Sequence, residues 1–86
     1  MATVHLPATL RPLAGGATVV EAEGSSLRTI IANLEAQFPA LAGRIADGAG
    51  IRPEICLAIG SEEAFGLDQA VPADGEVFVL PAIAGG

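Results

Sequence analysis

Between Gly24 and Pro39 the chain carries one apolar stripe, and that stripe constrains the fold more than any other feature. Leu27, Ile30, Ile31, Leu34 and Phe38 recur at the period of an α-helix. Arg28, Asn33, Glu35 and Gln37 take the opposite side. Gly24-Ser25-Ser26 supplies a start, since either serine can accept from the first free N–H groups of a helix. Pro39 supplies the stop, because the residue before a proline resists helical geometry. Leu41 and Ile45 then predict a further short turn that closes a core. A single helix with one apolar stripe covers one face of one sheet.

The flanking segments provide that sheet. Thr3-Val4-His5-Leu6 alternates, with Val4 and Leu6 on one face and Thr3 and His5 on the other. His5 reads as a solvated strand histidine rather than a ligand or base. Pro7 to Gly16 is a loop pinned by Leu10 and Leu13, and Ala17 to Ala22 is a second strand. After the helix, Asp47-Gly48-Ala49-Gly50 reads as a loop and Glu54 to Ile59 as a strand ending at Gly60. Ser61 to Ala70 reads as irregular, anchored by Phe65 and Leu67. Ala73-Asp74-Gly75-Glu76 is a turn into a last strand, Val77 to Leu80. The expected class is α+β, a mixed sheet with one main helix packed across it. Hairpin, helical crossover and two further strands make this the β-grasp arrangement.

The chain finishes Leu80-Pro81-Ala82-Ile83-Ala84-Gly85-Gly86. A proline has no N–H to donate, so Pro81 is expected to stop the ladder. The division that follows is a domain over residues 1–80 and a flexible tail over 81–86. Six residues past Leu80 span about 20 Å when extended, at roughly 3.3–3.6 Å each. Ile83, Ala84 and Gly85 suit threading through a narrow channel, because small residues and glycine let backbone pass closely. Gly86 then presents an α-carboxylate as the reactive group. Its deletion removes chemistry while touching no core.

Composition removes most other functions. Half the residues are hydrophobic, with no Trp or Tyr, so the core is aliphatic. All four basic residues are arginines (positions 11, 28, 44 and 52), leaving no lysine for a phosphate loop or a Schiff base. Arginine-for-lysine bias in a GC-rich genome explains that absence; an alternative is that an activated tail is safer without side-chain amines. One His and one Cys cannot build a zinc or iron–sulfur site, so no metal ligand set is expected. A net charge of −6 disfavours nucleic acid. No apolar run reaches membrane length and no leader pattern opens the chain, which with a lone cysteine points to the cytoplasm. Cys56 has no activating His or cation near it in sequence, and reads as a small residue on a sheet face.

Several stretches together resemble the MoaD/ThiS family of ubiquitin-like sulfur carriers. They are Leu10-Arg11 after the first strand, Phe38-Pro39-Ala40-Leu41 at the helix end, Asp74-Gly75-Glu76-Val77, and Pro81 to Gly86. Leu6-Pro7-Ala8-Thr9-Leu10-Arg11-Pro12 and the last seven residues look most like the family's carriers for cysteine synthesis. The resemblance implies a carrier rather than an enzyme. An adenylating and sulfurating activator would convert the Gly86 carboxylate to a thiocarboxylate. A sulfur-acceptor enzyme would then use it, either a pyridoxal-phosphate cysteine synthase or the large subunit of molybdopterin synthase. ATP, metal and pyridoxal phosphate would belong to those partners, with no cofactor bound by this chain. Other readings are a molybdopterin synthase small subunit, a ubiquitin-like protein modifier, and a β-grasp interaction module with an inert tail.

Alternation also predicts where partners dock. Val77 and Val79 face inward with Ile55, Leu57 and Ile59. Phe78 and Leu80 then project from the uncovered sheet face with Cys56 and Ala58, and His5 beside them. An apolar patch beside the tail's exit is a candidate protein interface.

Overall fold

The computed structural model describes residues 1–48 and 50–82. Its strands are β1 (Ala2–His5), β2 (Val19–Ala22), β3 (Ala46–Asp47), β4 (Gly50–Ile51), β5 (Ile55–Ile59), β6 (Glu62–Ala64) and β7 (Glu76–Pro81), with α1 (Leu27–Gln37) between β2 and β3. Single 3-10 turns cover Arg11–Ala14 and Pro39–Leu41. Five strands form one mixed sheet in the order β2-β1-β7-β5-β6. β1 and β7 run parallel at its centre, and the other pairs are antiparallel. This is the expected β-grasp sheet, with α1 across one face.

The core forms where the two apolar periodicities meet. Leu27, Ile30, Ile31 and Leu34 of α1 are buried. They lie against Val4, Val20, Leu57, Val77 and Val79, which their strands turn inward. Leu41 and Ile45 close the far end, both fully buried, and Phe38 packs partly against the cluster. Leu10 is buried and Leu13 half-buried, so they pin the first loop as expected. There Arg11 Nε donates to the Leu6 carbonyl at 3.0 Å.

The start of α1 is held from two directions. The Ser26 side chain accepts from Thr29 N–H, the capping role expected of the serine pair. The N–H groups of Leu27 and Arg28, which have no intrahelical acceptor, donate to the carbonyls of Gln69 and Leu67. Gly24 sits at φ +153, and a Cβ there would come within 2.9 Å of Ile30. Only glycine lets the chain leave β2 and enter the helix so closely.

The structure corrects several sequence expectations. Within the stretch 47–50, expected as a plain loop, Asp47 and Gly50 pair as the ends of β3 and β4; Ala49 itself lies outside the described residues. The stretch 61–70 is not wholly irregular, since β6 pairs with β5 from Leu57↔Ala64 to Ile59↔Glu62. That register turns Ala64 inward, where it is buried, and leaves Phe65 at 81% exposure instead of anchoring the core. Leu67 does pack partly against it, and sequence reasoning also missed Val71, which is buried. Finally, Pro81 does not stop the ladder. It pairs with Ile55, and the next N–H, of Ala82, donates to the Glu54 carbonyl at 2.8 Å. That bond makes 54/82 and 56/80 the hydrogen-bonded pairs, so the missing N–H of Pro81 points away from β5. It points to the β1 side, where the parallel pairing ends at His5↔Phe78. The proline therefore costs no ladder bond.

Candidate functional site

β7 is the strand on which a site can be built, because it is central in the sheet and leads into the chain's last residues. Its inner side chains, Val77 and Val79, are each 1% exposed. Phe78 and Leu80 therefore lie on the face that α1 leaves uncovered. The ladders set their neighbours. His5, Phe78, Ala58 and Glu63 form one row across β1, β7, β5 and β6, and Val19 extends it onto β2. Leu80 and Cys56 form the next row. Ala58, Cys56 and Phe78 are half-buried, whereas Leu80 and Val19 are exposed. The structure thus brings together all four residues expected at a docking face. It adds Val19, which sequence reasoning missed; alternation from Val20 would have found it.

His5 is not simply solvated. Its ring lies flat on Phe78, with centroids 4.3 Å apart and planes 8° from parallel. Its Nε2 is 3.0 Å from Glu76 Oε1, a neighbour across β1 and β7 on the same face. The ring thereby covers part of Phe78, and the exposed apolar surface shifts toward Leu80.

A shallow hollow of about 460 Å³ lies beside Leu80, lined by Ile55, Cys56, Glu63, Leu80, Pro81 and Ala82. Cys56 Sγ donates to Glu63 Oε2 at 3.3 Å. The Glu63 carboxylate, helped by partial burial, raises the thiol above its ordinary pKa. A thiol held protonated is a poor nucleophile, in keeping with a small residue on a sheet face. Just before Ile55 in the chain, Arg52 spans Glu54 Oε2 at 3.0 Å and Asp47 Oδ2 at 3.3 Å. Hydrogen bonding from Arg52 holds the Glu54 carboxyl below its ordinary value. Glu54 also supplies the carbonyl that takes the Ala82 N–H, so this ion pair steadies the residue at which the described chain leaves the sheet.

Gly86, Gly85, Ala84 and Ile83, expected as the reactive and threading residues, lie outside the described residues. Among the described residues no group of three or more His, Cys, Asp or Glu side chains could hold a metal ion. No described helix is long and apolar enough to cross a membrane.

Comparison with known proteins covers the same ground from end to end. The ThiS family pattern matches residues 4–86. Sulfur carrier protein CysO of Mycobacterium tuberculosis (strain ATCC 25618 / H37Rv) is 32% identical over 90 residues, spanning 98% of this chain and 97% of that protein. A chain of the Amycolatopsis orientalis BexX/CysO complex superposes with a TM-score of 0.90 at 29% identity, covering 100% of both chains. SAMP1 from Haloferax volcanii superposes with a TM-score of 0.75 at 25% identity, over 99% of this chain and 98% of that one. With the helix-on-sheet fold, the strand leading toward Gly86 and a family pattern that runs through Gly86 itself, this chain belongs to the ThiS family.

Proposed function

We propose that this protein is a sulfur carrier for biosynthesis, with cysteine synthesis the favoured pathway, and that its reactive group is the carboxyl of Gly86. The observation that carries the reading is the similarity, in sequence and in fold and over nearly the whole chain, to proteins named CysO. A free carboxylate resists nucleophiles, because it is anionic and would have to expel oxide. Joining it to AMP, with pyrophosphate released from ATP, gives the carbonyl a good leaving group. A sulfur donor then displaces AMP and leaves a thiocarboxylate, whose ionised sulfur is a soft nucleophile.

In this reading the chain's own residues position and present. The β7 ladders fix the root of the arm, Leu80 and Phe78 seat it on a partner, and Ile83 to Gly86 enter that partner's active site. The relative seen with BexX supports a partner enzyme for this carrier too. The partners proposed are an adenylating and sulfurating activator and a sulfur-acceptor enzyme. The chemistry of ATP, metal and pyridoxal phosphate resides in them.

The test is intact mass after incubation with a candidate activating enzyme, ATP and sulfide. The expected product is heavier by one sulfur less one oxygen, and a variant lacking Gly86 stays unchanged. Adducts at the mass of whole proteins would instead identify a protein modifier. An unchanged mass with every activator that loads other ThiS-family carriers would overturn the proposal.

A further inference from the structure

The stack of His5 on Phe78 fixes the shape of what lies beyond it on the open face. The centroids are 4.3 Å apart and the planes 8° from parallel, close to the spacing of neighbouring strands, so the two rings stand side by side on β1 and β7. The contact between His5 Nε2 and Glu76 Oε1 holds the imidazole in that position. One face of the Phe78 ring is therefore taken up by His5. Its other face looks along the row toward β5, where the residue opposite Phe78 is Ala58.

Ala58 is the smallest side chain of the row, and the next residue along, on β6, is Glu63. Phe78 and Glu63 stand two strand spacings apart, about 9–10 Å, with only a methyl group between them. A planar group in contact with its neighbours needs about 3.5–4.0 Å on each side, so one such group fits above Ala58, between the Phe78 ring and the stem of Glu63. The Glu63 carboxylate leans along this slot toward Cys56, whose thiol donates to Oε2 at 3.3 Å, and it closes that end. Oε1 has no bonding partner among the described residues. No described cation pairs with Glu63, and none of the five strands of the sheet carries an arginine. Glu63 and Cys56 also line the hollow beside Leu80, so the slot adjoins the root of the tail.

We propose that this slot receives an arginine side chain of a docking partner, its guanidinium stacked on Phe78 above Ala58 and bonded to the Glu63 carboxylate. The inference deepens the proposed function and rests on it for the role of the open face in docking. Charge and shape select the occupant together. A chain of net charge −6 draws a basic partner surface. Of the basic side chains, arginine alone is planar: it stacks on an aromatic face while its N–H groups, lying in the plane, point along the slot to the carboxylate at its end. A lysine ammonium pairs with that carboxylate but leaves the space beside the ring unfilled.

The test is an NMR titration of the full, isotope-labelled chain with N-acetyl-arginine methylamide, and separately with its citrulline and lysine counterparts. Citrulline keeps the plane and lacks the charge, whereas lysine keeps the charge and lacks the plane. The arginine probe is expected to move the Ala58 methyl and Phe78 ring signals saturably. It should bind more tightly than either counterpart by about threefold or more, the contribution of a cation–π contact at an exposed site. Glu63→Gln should weaken it by a similar factor. Ala58→Leu fills the slot while keeping both walls, and should abolish the saturable shift at Phe78. A melt establishes that each variant is folded, and should Ala58→Leu unfold, Ala58→Val decides on the same criteria. Equal affinity for arginine and either counterpart overturns the proposal, as does saturable binding at Phe78 that filling the slot leaves intact. The titration needs no activating enzyme, so a negative result here tells against the slot alone, and failure of Gly86 to gain sulfur tells against the proposed function alone.

Discussion

Truncating Leu80 to alanine is the sharpest probe of the proposed docking face. Leu80 is 44% exposed in the free chain, and its backbone pairs with Cys56 on β5. Fully burying a leucine is worth about 1.5–3 kcal/mol. The share still available to a partner is therefore about 0.7–1.3 kcal/mol, or roughly a three- to ninefold loss of affinity in Leu80→Ala. The covered remainder of the side chain limits the stability cost to about 0.8–1.7 kcal/mol. Phe78→Ala is a less clean probe, because it also removes the stack with His5, a contact worth about 0.5–1.5 kcal/mol on the scale of aromatic pairs. The assay is titration calorimetry against the activating enzyme, with a denaturant melt of each variant alone. Unchanged affinity in a folded Leu80→Ala variant refutes the reasoning, and so does a stability loss well above 2 kcal/mol, which would place Leu80 in the core.

Leu34→Ala, at a fully buried position on the sheet-facing side of α1, should cost about 2–5 kcal/mol in a denaturant melt. Gly24→Ala should cost about 1–3 kcal/mol, from the clash with Ile30 and the unfavourable φ, with melting again the measurement. Glu63→Gln removes the carboxylate that raises the Cys56 pKa, so more thiolate forms at a given pH. The alkylation rate of Cys56 should then rise at fixed pH, and its pH profile should move to lower pH. Lysines introduced near Leu80 should become self-acylated during activation if an absence of amines protects the activated tail; efficient loading without self-linked species would leave composition as the reason for their absence.

The parts of the fold that were legible in the sequence are those where one periodicity dominates over several residues. The α1 stripe and the alternation in β1, β5 and β7 fixed which side chains turn inward, and hence the open face with Phe78, Leu80, Cys56 and Ala58. The stretches misread are short and depend on turn chemistry. Gly60-Ser61 is a two-residue hairpin signal, and Gly60 does take the φ of +62 that such turns ask of glycine. Its strand, Glu62-Glu63-Ala64, has so little strand character that pattern alone passes over it. Phe65 was expected inside because it is large and apolar, yet alternation from Ala64 turns it out. Pro81 was expected to end pairing. Whether a proline breaks a ladder depends on which way its missing N–H would point, and only the β5 register supplies that. The bonds that Asn33 and Gln37 donate to the Glu23 and Glu21 carbonyls were equally hidden, since both residues read simply as a polar helix face.

The order of assembly links the open face to the integrity of the fold. The last strand in sequence is not added at the rim; β7 lies between β1 and β5. Thr3 pairs with Glu76 and His5 with Phe78, so the central ladder joins the two ends of the chain and closes after the largest possible loss of loop entropy. The row of His5, Phe78 and Ala58 does not exist on any one hairpin. It is created only when β7 inserts, and the same step fixes the direction in which the chain leaves at Ala82. A partially folded chain with β1–β2 and β5–β6 formed has neither the row nor a fixed root for the tail. On the proposed function, an activating enzyme that docks on this face would discriminate, by geometry alone, against carriers whose folding is incomplete.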